Sequence, residues 1–253
     1  MSPWYEDSFG RDYMALYPHR DLAEARADVA GIVGLVNPPK GQPLLDLCCG
    51  AGRHLQALHE TGFTDLTGID LSQQLLDIAR RRLDAVGAGT VRLIRSDMRK
   101  IPHHERFATV LSLFTSFGYF ADASDDETVL RAVHAALRPG GTFSIDTLNR
   151  SWTIARLEPR SDRAIDGARV AIERTISADG LRVEKEIRIE TPGTPPKSYR
   201  ESVRMYTAGE MKTMLERAGF ADLRFYGGLD GRAHDVASPR MIVVATRPQE
   251  IPA

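Results

Sequence analysis

Residues 43–54 read Pro43-Leu44-Leu45-Asp46-Leu47-Cys48-Cys49-Gly50-Ala51-Gly52-Arg53-His54, and this stretch decides the fold. A mostly apolar run, Pro43 to Leu47, carries a carboxylate near its end and leads into a Gly-x-Gly turn. Leu55, Leu58 and His59 follow at helical spacing. A strand feeding a tight turn into a helix is the layout of a nucleotide-type site in an open α/β sheet. The glycines allow a ligand close to the backbone, because no Cβ stands in the way. The helix start beyond them offers unpaired N–H groups to an anion such as a carboxylate.

The rhythm recurs downstream, each time with an acid where a strand ends. Phe63 to Ile69 reads as a second strand, closing in Gly68-Ile69-Asp70-Leu71-Ser72. Asp70 lies eighteen residues beyond Gly52, near the spacing of about 20 at which an acid meets a ribose hydroxyl pair. Ser72 is the expected cap of a helix through Leu75, Leu76, Ile78, Ala79 and Leu83. Val91 to Arg95 reads as a third strand, followed by Ser96-Asp97-Met98. An acid there can accept a bond from an adenine amino group while the Met98 backbone meets the ring edge. Singly, each Asp is equally well explained as a helix cap or turn residue. Three in order, each at a strand's carboxyl end, favour a ligand site.

The set Asp46…Gly50-x-Gly52, Asp70 and Ser96-Asp97-Met98 resembles the cofactor site of the class I S-adenosylmethionine-dependent methyltransferases. Leu137-Arg138-Pro139-Gly140-Gly141-Thr142-Phe143 resembles the turn and strand that this family places after its fourth helix. The similarity covers residues 40 to 150, and 207 to 246 as a final helix and strand pair. It implies S-adenosyl-L-methionine as cofactor and an α/β fold: a Rossmann-like, seven-stranded, mostly parallel sheet with helices on both faces. Carried over, Gly50 and Gly52, with Cys49 and Arg53 of the same turn, approach the methionine part. Asp70 with Leu71 holds the ribose, and Ser96, Asp97 and Met98 hold the adenine. The family often has glycine where this chain has Cys48, so the loop must there suit a residue with a side chain. A dinucleotide site would want Gly-x-Gly-x-x-Gly, and the third position after Gly52 is Leu55.

A chain of 253 residues with 42% hydrophobic content can bury one substantial core with a modest appendage. Lys plus Arg number 33 and Asp plus Glu 34, so composition gives no sign of a nucleic-acid partner. Arg80-Arg81-Arg82 ends a helix and complements its dipole. No signal pattern opens the chain, and no stretch approaches the roughly 18 apolar residues of a membrane span. The two cysteines are adjacent and poorly placed to bridge each other. A reducing cytoplasm is therefore expected. No Cys or His spacing supports a metal.

Three regions are expected. Residues 1–38 form an N-terminal segment and helix; residues 39–150 and 207–253 form the cofactor-binding α/β domain; residues 151–206 form an inserted antiparallel β appendage. Asp21-x-x-Glu24 is a capping-box-like start for a helix to about Val36. In the resembled family such a segment often closes over cofactor and substrate, which makes Tyr13, Tyr17 and Arg20 lid candidates; otherwise these aromatics pack the helix onto the sheet. Phe107 to Phe114 is a fourth strand, apolar enough to be central, with Leu113 and Phe114 expected at the cofactor. It runs into Thr115-Ser116-Phe117-Gly118-Tyr119-Phe120, which should sit beside the transferable methyl group. Thr128 to Leu137 is the next helix and Thr142 to Asp146 the fifth strand. From Arg169 to Tyr206 the pattern has period two, with Asp179-Gly180 as a hairpin turn, giving about three strands. Their apolar face must cover the substrate pocket or build a homodimer interface. Thr207-x-x-Glu210 is a capping box opening a helix that stops at Gly219. The thirteen-residue loop Gly227 to Pro239 is long enough to suggest binding.

Methyl transfer from a sulfonium is an in-line displacement, so the protein's main task is to align the reactants and exclude water. A base could assist an amine or hydroxyl acceptor. Tyr119, Asp146, His234 and Tyr206 are candidates. His234 ranks first for its ordinary pKa and Tyr119 second. Balanced charge favours a small-molecule acceptor, methylated on nitrogen or oxygen. The alternatives are a nucleic-acid or protein methyltransferase, and a protein that binds S-adenosylmethionine without turnover.

Overall fold

The computed structural model describes residues 3–8, 21–165 and 167–249. Helix α1 (Trp4–Ser8) and helix α2 (Leu22–Val36) precede the first strand. There follow β1 (Leu44–Leu47), α3 (Arg53–Glu60), β2 (Leu66–Asp70), α4 (Gln73–Ala85), β3 (Arg92–Arg95) and β4 (Phe107–Ser112). Then come α5 (Ala123–Ala136), β5 (Leu137–Leu148) and the short α6 (Arg150–Ala155). The chain ends with α7 (Ala208–Arg217), β10 (Ala221–Tyr226) and β11 (Arg240–Thr246).

The main sheet has seven strands in the order β10-β11-β5-β4-β1-β2-β3. β1 pairs in parallel with both β2 and β4, while β11 runs antiparallel between β5 and β10. β4 is buried along its whole length, as expected of a central parallel strand. The chain reverses direction across the sheet between β1 and β4, and a crevice opens there at the carboxyl ends. Alternation along β1 sends Leu45 and Leu47 to one face, with Val133 of α5 and Leu215 of α7. Leu44 goes to the other face, with Val29 and Ile32 of α2, Leu58 of α3 and Leu83 of α4. Each fully buried Leu or Ile contributes roughly 1.5–3 kcal/mol relative to exposure.

Most helix boundaries obey their caps. The Ser72 hydroxyl accepts from Leu75 N, and Thr207 with Glu210 forms a complete capping box. α5 begins at Ala123, five residues before the expected Thr128, because the Asp122 side chain accepts from Ser124 N. β5 starts at Leu137, not Thr142, and the register shifts where Gly140 adopts φ +77.

The appendage has four antiparallel strands rather than three: β6 (Arg160–Ile165), β7 (Ala168–Ile176), β8 (Arg182–Glu190) and β9 (Lys197–Arg204). β6 was hidden because Arg160, Asp162 and Arg163 leave it without apolar alternation, as suits an edge strand. The sheet docks on the segment following β4. Arg204 N donates to Gly118 O at 2.7 Å, and the Arg182 guanidinium donates to Phe120 O at 2.9 Å. Gly118 has φ +86, and a Cβ there would lie 2.3 Å from Arg204 O, so only glycine allows this approach. Val183, Val203 and Met205 pack in the same cluster as Trp4 and Tyr119.

Candidate functional site

The turn after β1 is shaped by backbone conformation. Cys48 takes a left-handed φ of +63, filling the position where the resembled family often has glycine. A side chain there costs on the order of 1–2 kcal/mol. Cys49 N donates to Ile69 O at 3.0 Å, and Gly52 N donates to Cys49 O at 3.0 Å, which fixes the turn against β2. The two glycines have different duties. At Gly50, with φ +53, a Cβ would meet nothing nearer than Leu75 Cδ1 at 4.0 Å. At Gly52 a Cβ would lie 2.9 Å from Ala79 Cβ, so that glycine admits helix α4.

Asp70 anchors the neighbouring strand end. Its Oδ2 accepts from Gly50 N and its Oδ1 from Ser72 N, both at 2.8 Å. Burial pushes its carboxyl above the ordinary carboxylate range, against the opposing pull of those backbone donors. Asp97, beyond β3, receives the Arg99 backbone N–H at 2.8 Å and the guanidinium Nη2 at 2.6 Å. Burial would raise its carboxyl, but the Arg99 bonds outweigh it and hold the group below its usual range.

Together these elements enclose a cavity of about 540 Å³ at the carboxyl ends of β1 to β4, within the roughly 300–1,000 Å³ of small-molecule sites. Of the residues expected at the site, it is lined by Cys49, Gly50, Arg53, Asp70, Leu71, Ser96, Asp97, Met98, Leu113, Phe114 and Tyr119. Asp46, Gly52 and His234 do not line it. Asp46 is buried on β1; burial pushes its carboxyl up to about 6, with the His54 imidazole opposing. Gly52 faces α4. His234 sits in the β10–β11 loop, which packs on α2 where Leu229 meets Gly31 and is tied down by the Asn149 amide bonded to Asp235 O and Ser238 O. Burial lowers the His234 pKa. Tyr13, Tyr17 and Arg20 lie outside the described residues.

Ser116 and Phe120, from the segment expected beside the methyl group, also line the cavity, and so does Tyr5, which sequence reasoning missed. The Tyr5 ring meets Phe120 edge-on at 5.7 Å and stacks towards Tyr119 at 6.5 Å. Trp4 donates its indole N–H to Tyr119 O at 3.2 Å. An aromatic cluster at the start of the chain was the available signal; its partner beyond β4 was not visible. Also missed was the support beneath Phe114. Phe114 and Thr115 both have φ +62, with no glycine to relieve them. Asp146 holds this pair: its Oδ2 accepts from Phe114 N at 3.1 Å and its backbone oxygen from Thr115 N at 2.9 Å. Arg240 in turn bonds both Asp146 oxygens. The guanidinium carbons of Arg53 and Arg240 lie 4.8 and 5.1 Å from the Phe114 ring centroid. Asp146 and Tyr206, considered as bases, are thus committed elsewhere, Tyr206 to Asp126 at 2.5 Å.

A family model described as a methyltransferase domain matches residues 44–141. A dTDP-3-amino-3,4,6-trideoxy-alpha-D-glucopyranose N,N-dimethyltransferase from Streptomyces venezuelae is 27% identical over 87% of this chain and 92% of its own length. The chain is an S-adenosylmethionine-dependent methyltransferase. An S-adenosylmethionine-bound amino pentose methyltransferase from Micromonospora echinaspora superposes with a TM-score of 0.69 at 27% identity, covering 94% of this methyltransferase and 97% of that chain. An S-adenosylmethionine-dependent methyltransferase from Clostridium acetobutylicum reaches 0.79 at 18% identity, over 96% and 99% of the two chains; that likeness bears on the fold. S-adenosylmethionine is the enzyme's cofactor, and the site suits it: a carboxylate at the β2 end, open space over Gly50, and Asp97 beside Met98 beyond β3. No helix among the described residues is long and apolar enough to cross a membrane.

Proposed function

We propose that this methyltransferase methylates the amino nitrogen of a small-molecule acceptor of the amino-sugar class, in the cytoplasm. The observation that carries the reading is the likeness to an aminosugar N,N-dimethyltransferase along nearly the whole of both chains. Bound S-adenosylmethionine supplies an electrophilic methyl group on a sulfonium. The chain's own residues bind, orient and exclude water. In this reading Asp70 holds the ribose, Asp97 and Met98 hold the adenine, and Gly50 admits the methionine part. Leu113 and Phe114 form the floor, and Phe114 is held rigid by Asp146 and Arg240. Tyr5, Tyr119 and Phe120 line the same cavity, and in this reading they form the acceptor wall, with Tyr119 holding the acceptor nitrogen. His234 carries no role here, since it does not line the cavity. Near-equal numbers of acidic and basic residues support a small acceptor over nucleic acid. Two adjacent thiols in the cofactor turn support a reducing compartment. The appendage is a surface for a homodimer, since β6 pairs only with β7 among the described strands. Light scattering that returns a monomer mass removes that part.

The test is incubation with S-adenosylmethionine and matched dTDP-sugars bearing an amino or a hydroxyl group, followed by mass spectrometry. Methyl addition to the amino compound alone supports the reading. Transfer to the hydroxyl compound alone, or to neither, contradicts it.

A further inference from the structure

Arg99 does not line the cavity, yet it touches both halves of its wall. On one side its Nε lies 3.1 Å from each oxygen of Asp97, with Nη2 2.6 Å from Oδ2. On the other side Nη1 lies 3.2 Å from Asp125 Oδ2 in the first turn of α5. The guanidinium carbon of the same group lies over the Phe120 ring, 4.4 Å from its centroid. Phe120 meets Tyr5, and Tyr5 meets Trp4 at 5.8 Å. One guanidinium therefore bonds two acids through separate nitrogens while its carbon sits over an aromatic ring, which a lysine cannot reproduce.

We propose that Arg99 is a positioning residue that couples the adenine seat at Asp97 to the acceptor wall at Phe120 and Tyr5. The proposal rests on the reading of Asp97 as the adenine contact. A carboxylate offers about four acceptor sites. Arg99 occupies most of those on Asp97, so an adenine amino group bonding there must share the carboxylate with Arg99. Any adjustment of the guanidinium is felt by Phe120, which it faces, and by α5, which it pins through Asp125. Filling the cofactor site thus sets the wall against which the acceptor is received.

Trp4 reports on that wall, and the chain's other tryptophan, Trp152, lies in α6. In a Trp152→Phe background, S-adenosylhomocysteine is titrated while Trp4 emission and calorimetric heat are followed in parallel. The proposal expects emission to change and to saturate with the calorimetric affinity. With Arg99→Lys added, S-adenosylhomocysteine should still bind, within about tenfold, and the emission response should be lost. Asp125→Asn, which removes the α5 anchor and leaves Asp97 gripped, should reduce the response in the same direction. A full response in Arg99→Lys with ligand bound, or no response in the Trp152→Phe parent despite binding, overturns the coupling while leaving the cofactor seat standing. Absence of calorimetric binding in the parent instead overturns the cofactor seat, and the coupling with it.

Discussion

Asp70 commits both carboxylate oxygens to the chain itself, one to Gly50 N and one to Ser72 N. Asp70 also lines the cavity and keeps further acceptor capacity, so one side chain both shapes the glycine turn and can meet a ligand. Asp70→Ala should weaken S-adenosylhomocysteine binding by about 1–3 kcal/mol, read by calorimetry. Unchanged affinity would remove Asp70 from the site. Asp126 is a second informative residue. It is fully buried, bonded to Tyr206, and pushed up to about 6 by burial, with the Tyr206 bond opposing. Because its folded pKa exceeds the unfolded value, its contribution to stability is present below about pH 4 and lost as pH rises through about 6. Asp126→Asn should therefore flatten the fall in stability between those pH values by on the order of 1–3 kcal/mol, in urea melts run across the range. An unchanged slope would contradict the buried-charge reading.

At the scale of elements, the segment after β4 is the piece on which the acceptor side depends. The appendage reaches it through Arg204 and Arg182, and the approach is closed to any side chain at Gly118. Gly118→Ala should push β9 away. Methyl transfer is then expected to fall on the order of a hundredfold, the size of effect that small misplacements produce, while S-adenosylhomocysteine still binds. Parallel loss of both would mean that the cofactor seat moved as well. Gly52 is the converse case: a valine there would press on Ala79 and disturb helix packing, whereas its place in the sequence motif gives this glycine the task of letting a ligand approach the backbone. Thr207→Ala should cost about 1 kcal/mol through loss of the α7 cap, seen in thermal melts. No change in stability would mean that the cap is redundant.

Across the whole molecule, what could be read from the chain was what local chemistry fixes. Pro43 to Gly52 announced a strand and turn because apolar residues and glycines leave few other conformations. Ser72 and Thr207 announced helices because their hydroxyls have obligatory partners three residues on. Hidden features depend on residues far apart or on strain. Asp146 and Arg240 meet from adjacent strands, 94 positions apart. Phe114 and Thr115 adopt left-handed conformations that neither residue type signals. β6 is an edge strand with charges on both faces, so its periodicity is faint. His234 has suitable chemistry, but its loop turns towards α2 rather than the cavity. The site is thus partly local motif and partly long-range scaffold, and the motif part names the cofactor.

The most direct test of the account is calorimetric titration of the purified protein with S-adenosylmethionine and S-adenosylhomocysteine. The account predicts saturable binding of both at one site, weakened together by Asp70→Ala. Failure of either compound to bind the unaltered protein would contradict it.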